Sequence, residues 1–381
     1  MAEVAEIEEI VESRLHSLNY CFQCGACSSV CPFSMTVAFN PRQLILLSRL
    51  EPEKVLDTEQ IWLCSSCNAC VARCPMEVKP PEAFSSLRAK AVERGSVPEH
   101  ISKTLFVALK GTNRYGNPWG KPRSERAKWA AGLDVKHASE GVEVLYDVGC
   151  GASYDPRAQR ISRAMARVFH AAGVNFGILG ELENCCGSCV RRMGEEGLFQ
   201  MLADANIKNW RKYKIAKLVT GSPHCYNVIK NEYPERPGEV LHYTQFLAEL
   251  VQDKKLRFVS DPPLTVTYHD PCFLGRHNGV YDAPRHVLKA MPGITVIEMR
   301  NSRERAICCG GGGGRMWVEP LEEERMHLAE IRYREAAATG AQVLVTACQF
   351  CMVNLQEASK TVEKKIEVKD LIELVSERLK E

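Results

Sequence analysis

The pattern of apolar and polar positions changes character along the chain. Met1 to Glu12 reads as an acidic amphipathic helix, Pro41 to Leu50 as a second, and Pro81 to Lys110 as a longer helix-prone stretch. After a Gly/Pro-rich segment, Arg114 to Lys128, short β-rich runs begin to alternate with helical ones. Strands are expected at Val142 to Val148, Asn175 to Leu179 and Lys217 to Thr220, with helices near Arg157 to Ala172 and Glu195 to Tyr213. The pattern then recurs. Strands at Thr265 to His269, Thr295 to Met299 and Gln342 to Thr346 alternate with helices near Ala283 to Ala290 and Pro320 to Thr339. This is an internal repeat of an α/β unit with a small parallel sheet, placed behind an α-helical N-terminal domain. The expected domains are 1–110, a linker 111–141, and the repeats 142–255 and 256–381.

Composition narrows the function classes. A net charge of +2 over 381 residues offers no electrostatic footprint for nucleic acid. The densest basic stretch, Arg114 to Lys128, is interleaved with Tyr115, Trp119 and Trp129, but Gly116, Pro118, Gly120 and Pro122 favour a linker strapped across a domain over an RNA surface. No apolar run approaches the ~20 residues that cross a bilayer. With no leader pattern at the start, the cytoplasm is the expected compartment, and a membrane is reached only through a partner.

The 18 cysteines change the picture most. In a long chain from a reducing compartment, clustered thiols mean metal or redox chemistry. Cys21, Cys24, Cys27 and Cys31, followed by Pro32, and Cys64, Cys67, Cys70 and Cys74, followed by Pro75, both match C-x2-C-x2-C-x3-C-P. In this motif three thiolates from one loop hold three irons of a [4Fe-4S] cubane, and the fourth cysteine crosses to the other cluster. Cys21, Cys24, Cys27 and Cys74 are therefore expected to hold one cubane, and Cys64, Cys67, Cys70 and Cys31 the other. Zinc knuckles have no use for this spacing. The segment resembles the helical ferredoxin domain in the iron–sulfur subunits of respiratory dehydrogenases.

The other ten cysteines follow the repeat. Cys150 aligns with Cys272, Cys185-Cys186-Gly187 with Cys308-Cys309-Gly310, and Cys225 with Cys351. Each group falls at the end of a strand, and in an open parallel sheet those ends share one edge, where ligands bind. Cys272, Cys308, Cys309, Cys348 and Cys351 thus converge on one site. Neighbouring thiols such as Cys308 and Cys309 suit a larger or split cluster better than one cubane, and a pocket of buried free thiols is the plain alternative.

The set Cys272, Cys308-Cys309-Gly310 and Cys348-x2-Cys351 resembles the Cys-Cys-Gly domain of heterodisulfide reductases, and the whole chain resembles the catalytic subunit that fuses a ferredoxin domain to two such repeats. The resemblance implies a noncubane [4Fe-4S] cluster on these five cysteines, with disulfide cleavage there. His269-Asp270-Pro271 also fits the family pattern, its histidine read as a hydrogen-bonding turn residue ahead of a ligand or acid. The first repeat departs: it keeps Cys150, Cys185, Cys186 and Cys225, has Ser222 where cysteine belongs, and gains Cys189. Three outcomes stay open for it: Cys189 as fifth ligand, a different cluster, or none.

The Gly310 to Gly314 run follows Cys309 and lacks the acidic partner of a dinucleotide fold, so the glycines are expected to let backbone approach a cluster or a substrate. No flavin or nucleotide site is expected on this chain. Two functions compete. One is a heterodisulfide-like reductase subunit fed single electrons through the two cubanes by a flavoprotein or cytochrome partner, acting on a disulfide or thiol substrate. The other is a non-catalytic electron-transfer subunit of a larger dehydrogenase complex of the glycolate- or lactate-oxidising type.

Overall fold

In the computed structural model, which describes residues 2–259, 262–318 and 327–380, the N-terminal part is helical throughout. Helix Pro41–Leu50 starts as its sequence dictates: Pro41 fills the first position, the Asn40 side chain accepts from Gln43 N–H, and Leu44 and Ile45 are buried. The stretch expected as one helix from Pro81 forms two, Pro80–Arg94 and Glu99–Tyr115, because Gly95 ends the first in the left-handed conformation.

Two parallel sheets follow. The first has strands β1 (Lys136–His137), β2 (Val144–Asp147), β3 (Phe176–Ile178), β4 (Lys217–Thr220) and β5 (Glu239–His242) in the order β1-β3-β2-β4-β5. The second has β6 (Leu264–His269), β7 (Ile294–Val296), β8 (Val343–Thr346) and β9 (Glu367–Asp370) in the order β7-β6-β8-β9. The duplication read from the sequence is therefore a duplication of topology, β3-β2-β4-β5 against β7-β6-β8-β9. The central strands β2 and β8 are buried along their whole length and apolar but for Asp147 and Thr346, the pattern of parallel strands covered on both faces. The outer strands β5 and β9 alternate exposed and buried positions and carry Glu239, His242, Glu367 and Asp370, so they read as loop in the sequence. The helix expected over Pro320 to Thr339 runs Leu328–Ala338, with the part of that expectation on residues 319–326 outside the described residues.

The repeats pack by exchange. Helix Gln159–Ala171 of the first lies on Leu371–Glu377 of the second, and Tyr243–Gln252 of the first lies on Asp282–Ala290 of the second, an approximate two-fold relation. Polar contacts pin it: Arg157 makes a bidentate pair with Glu373 at 2.6 and 2.8 Å, and Tyr243 Oη donates to Asp370 at 2.5 Å. Gln349 of the second repeat reaches the first, its Oε1 accepting from Ala152 N–H at 3.1 Å.

The segment between the ferredoxin helices and β1 straps onto the first repeat. Arg126 is buried in a 2.6 Å pair with Glu183 and Lys121 donates to the Tyr154 carbonyl, while Trp119 packs on Trp317 of the second repeat. These side chains face the protein interior.

Candidate metal centres

The second ferredoxin loop is wound tightly, with Ser66 and Asn68 both in the left-handed conformation (φ 53° and 59°). This turn gathers its thiols: Cys31, Cys64, Cys67 and Cys70 line one small cavity with Pro32, Phe33 and Phe84. The cysteine that crosses from the first motif is thus among those of the second. In the first motif Cys21 and Cys27 are electrostatic neighbours, and helix Ala26–Val30 packs on the turn Val71–Arg73 that delivers Cys74. Cys24 is exposed.

In the second repeat, all five thiols are buried at the carboxyl edge of the sheet. The adjacent pair Cys308 and Cys309 serves different neighbours. Cys308 packs with Cys272 and Cys67, while Cys309 Sγ lies 3.1 Å from Cys351 Sγ, with Cys348 close enough to feel the charge of both. Gly310 explains the third letter of the motif. At φ +86° it folds its N–H back onto Cys308 Sγ at 3.3 Å, a turn that residues with a Cβ rarely adopt; Gly187, at φ +78°, does the same to Cys185 at 3.4 Å.

In the first repeat Cys150, Cys185, Cys186 and Cys225 are likewise buried, close enough to feel one another's charge. Ser222 caps helix Pro223–Asn231 as Cys348 caps helix Gln349–Thr361, so the serine stands at the structurally equivalent place. Cys189, on helix Ser188–Arg192, is buried close enough to feel the charge of Cys185 and Cys225.

The second ferredoxin loop and the second repeat touch. Cys67 packs with Cys308 and Cys272 in one buried cluster, and Ser65 Oγ is 3.5 Å from Cys308 Sγ. The glycine run makes this approach possible: a Cβ on Gly312 would fall 2.3 Å from the Ser65 carbonyl oxygen, and one on Gly313 2.2 Å from that of Cys64. Three residues clamp the junction. Arg276 Nε donates to the Cys67 carbonyl at 2.6 Å, and His277 Nε2–H to that of Ser66 at 2.8 Å. Arg88, fully buried, donates to the carbonyls of Ile61, Cys64, Arg192 and Gly313 at 2.6 to 2.8 Å, joining the ferredoxin domain to both repeats. Sequence reasoning missed all three, because an arginine in a charged helix looks like any solvated one.

The donor chemistry fits iron–sulfur clusters. None of the 18 thiols is in a disulfide, and the buried guanidinium of Arg276 stands beside Cys67, Cys272 and Cys308, that of Arg126 beside Cys150. Such cations offset the charge of a thiolate-ligated group. Burial pushes Cys64 up to about 11 and Cys189 up to about 12, so metal rather than solvent would draw off these protons.

Similarity to known proteins agrees with this geometry. A 4Fe-4S dicluster domain matches residues 17–78, and a cysteine-rich domain matches residues 144–230 and 266–356. The chain is 34% identical to the probable iron-sulfur-binding oxidoreductase FadF of Bacillus subtilis, over 98% of this chain and 61% of that protein. It is 34% identical to the EtfAB:quinone oxidoreductase of Syntrophomonas wolfei, over 94% and 58%. It therefore spans about three fifths of the length of these two relatives. With a subunit of the dihydromethanophenazine:CoB–CoM heterodisulfide reductase of Methanosarcina barkeri it shares 32% identity over 98% of this chain and 97% of that one. A crystal structure of a hypothetical protein from Helicobacter pylori shares the fold, with TM-score 0.52 and 9% identity over 90% of this chain and 66% of that one. Among the described residues no helix is long and apolar enough to cross a membrane. With its ferredoxin motifs, its doubled Cys-Cys-Gly units and a relative matched almost end to end, the chain belongs to the iron–sulfur oxidoreductase family that includes the Methanosarcina heterodisulfide reductase subunit.

Proposed function

We propose that this chain passes single electrons from its ferredoxin domain to the second Cys-Cys-Gly site, where a disulfide or related sulfur substrate is reduced. Cys21, Cys24, Cys27 and Cys74 would hold one cubane, and Cys64, Cys67, Cys70 and Cys31 the other. Cys272, Cys308, Cys309, Cys348 and Cys351 would hold a noncubane [4Fe-4S] cluster, and Cys150, Cys185, Cys186 and Cys225, with Cys189 as fifth thiol, a further one. When bound, these groups supply one-electron storage and, at the second repeat, iron that takes up a substrate sulfur.

The observation that carries the reading is the contact between Cys67 and Cys308. If the assignments hold, a ligand of the second-motif cubane would lie against a ligand of the second site. On its other side, Cys309 lines a cavity of about 360 Å³ with Met316, Asn354 and Ala358, and none of Cys67, Cys272 or Cys308 reaches it. Electrons would arrive at Cys308 and substrate at Cys309. Cleaving a disulfide takes two electrons and two protons to give two thiols, so charge must be stored between one-electron arrivals. A flavoprotein or cytochrome partner would supply the electrons.

A second reading, an electron-transfer subunit with no sulfur substrate, is favoured by Ser222, which makes the two repeats chemically unequal. It would resemble a transfer between EtfAB and quinone of the kind the Syntrophomonas relative is named for. The discriminating experiment is EPR of the oxidised holoprotein with and without added thiols and disulfides, together with turnover. A thiol-dependent signal that vanishes in Cys309→Ala supports reduction at the second site. No thiol-dependent signal, with electron flow intact to a quinone analogue, supports the second reading.

A further inference from the structure

His269 closes β6 at the edge of the five-thiol site, and one of its ring nitrogens lies within 4.8 Å of both Cys309 Sγ and Cys351 Sγ, themselves within that distance of each other. By position alone it could be a metal ligand. Its hydrogen bonds argue otherwise. Arg332 Nε sits 3.0 Å from His269 Nδ1, and a guanidinium nitrogen can only donate, so Nδ1 is an acceptor and carries no hydrogen. The single proton of the neutral ring is then on Nε2, whose lone pair is unavailable to a metal. Arg332 is itself fully buried and fixed, donating to Glu335 at 2.6 Å and to the Asn301 carbonyl at 2.8 Å, so the ring does not turn over. Meanwhile His269 Nε2 is buried and has no protein partner. A buried N–H left unpaired is costly and calls for an acceptor at the site it adjoins.

We infer that His269 donates a fixed Nε2–H hydrogen bond to a sulfur of the group held by Cys309 and Cys351, raising its reduction potential, with Arg332 as the positioning residue that selects this tautomer. An N–H donor stabilises the more negative, reduced state of a thiolate-ligated cluster, and such bonds are among the terms that set its potential. The inference rests on the reading that the second repeat holds a cluster.

The first repeat supplies the contrast. Asp147 aligns with His269 at the same offset that relates Cys150 to Cys272. Both close the first strand of their unit beside a threonine of the next, Thr220 and Thr346. Asp147 accepts from Thr220 Oγ1 at 2.8 Å and is an acceptor where His269 is a donor. The first repeat therefore has no ring N–H at this position. A hydrogen bond of this kind at the second repeat alone would favour electrons there, beside its contact to Cys67.

The test is an EPR-monitored redox titration of holoprotein carrying His269→Leu, His269→Gln or Arg332→Gln, with iron content measured on each. In His269→Leu the midpoint potential of the second-repeat signal should fall, while iron content and both ferredoxin midpoints stay as in the wild type. His269→Gln, which keeps an amide N–H, should recover much of the fall, and Arg332→Gln should shift the potential in the same direction by less. Loss of about four irons together with that signal in His269→Leu would make His269 a ligand and overturn the inference. So would an unmoved potential in both His269→Leu and Arg332→Gln. A wild-type protein with no second-repeat signal would instead overturn the cluster reading on which the inference stands.

Discussion

Cys67, in the second ferredoxin loop, and Cys308, in the second Cys-Cys-Gly pair, pack in one buried cluster across the boundary between their domains. The approach depends on the glycines facing Cys64 and Ser65. Gly313→Ala adds a Cβ 2.2 Å from the Cys64 carbonyl, at a residue with φ +66°, so the loops must separate. We expect electron transfer into the second site to slow at least tenfold while both ferredoxin clusters remain, measured by freeze-quench EPR after reduction. Gly197→Ala, in a helix with its nearest neighbour 3.6 Å away, serves as the control and should leave the rate unchanged.

Arg88 holds four backbone carbonyls from three parts of the chain and faces no carboxylate in those bonds. Arg88→Met leaves those buried acceptors unpaired and should destabilise the fold by about 3 to 5 kcal/mol. Chemical denaturation of the holoprotein checks the magnitude. Hydrogen exchange should speed up first around Cys64 and Gly313.

Asp370 ties β9 to Tyr243 of the first repeat, and burial pushes its carboxyl up to about 8. Its folded value lies above its unfolded one. Stability from this group is therefore complete below about pH 4 and is lost as pH rises towards 8. Asp370→Asn, which mimics the protonated side chain, should flatten the decline in stability between pH 5 and pH 8 expected of the wild type, as read from denaturation midpoints across that range.

The first repeat differs from the second at Ser222, with Cys189 as the compensating thiol. If Cys189 completes a cluster there, iron should fall from about sixteen to about twelve per chain in Cys189→Ser, with the second-repeat signal intact. Iron near twelve in the wild type, unchanged by the substitution, would mean a first repeat without a cluster.

Much of this was legible in the sequence. The cysteine motifs declare themselves by spacing, and the inner strands β2, β4, β6 and β8 by short runs rich in Val, Leu, Tyr and Thr. The outer strands β5 and β9 did not, because half their positions face solvent and their charged ends look like turns. The junction was harder still. Arg88 and Gly313 are 225 positions apart, and nothing local to either says that they meet. His269 stood out by its place before Cys272, but its role depends on which nitrogen Arg332 occupies, a relation only the folded chain reveals.

If electrons from the ferredoxin domain collect on the five-thiol site of the second repeat, that site must give a redox signal of its own. EPR of stepwise-reduced holoprotein, comparing wild type with Cys309→Ala, looks for it. Two ferredoxin signals are expected in both proteins, and a further, thiol-sensitive signal in the wild type alone. A further signal that survives Cys309→Ala with undiminished thiol sensitivity would contradict this assignment.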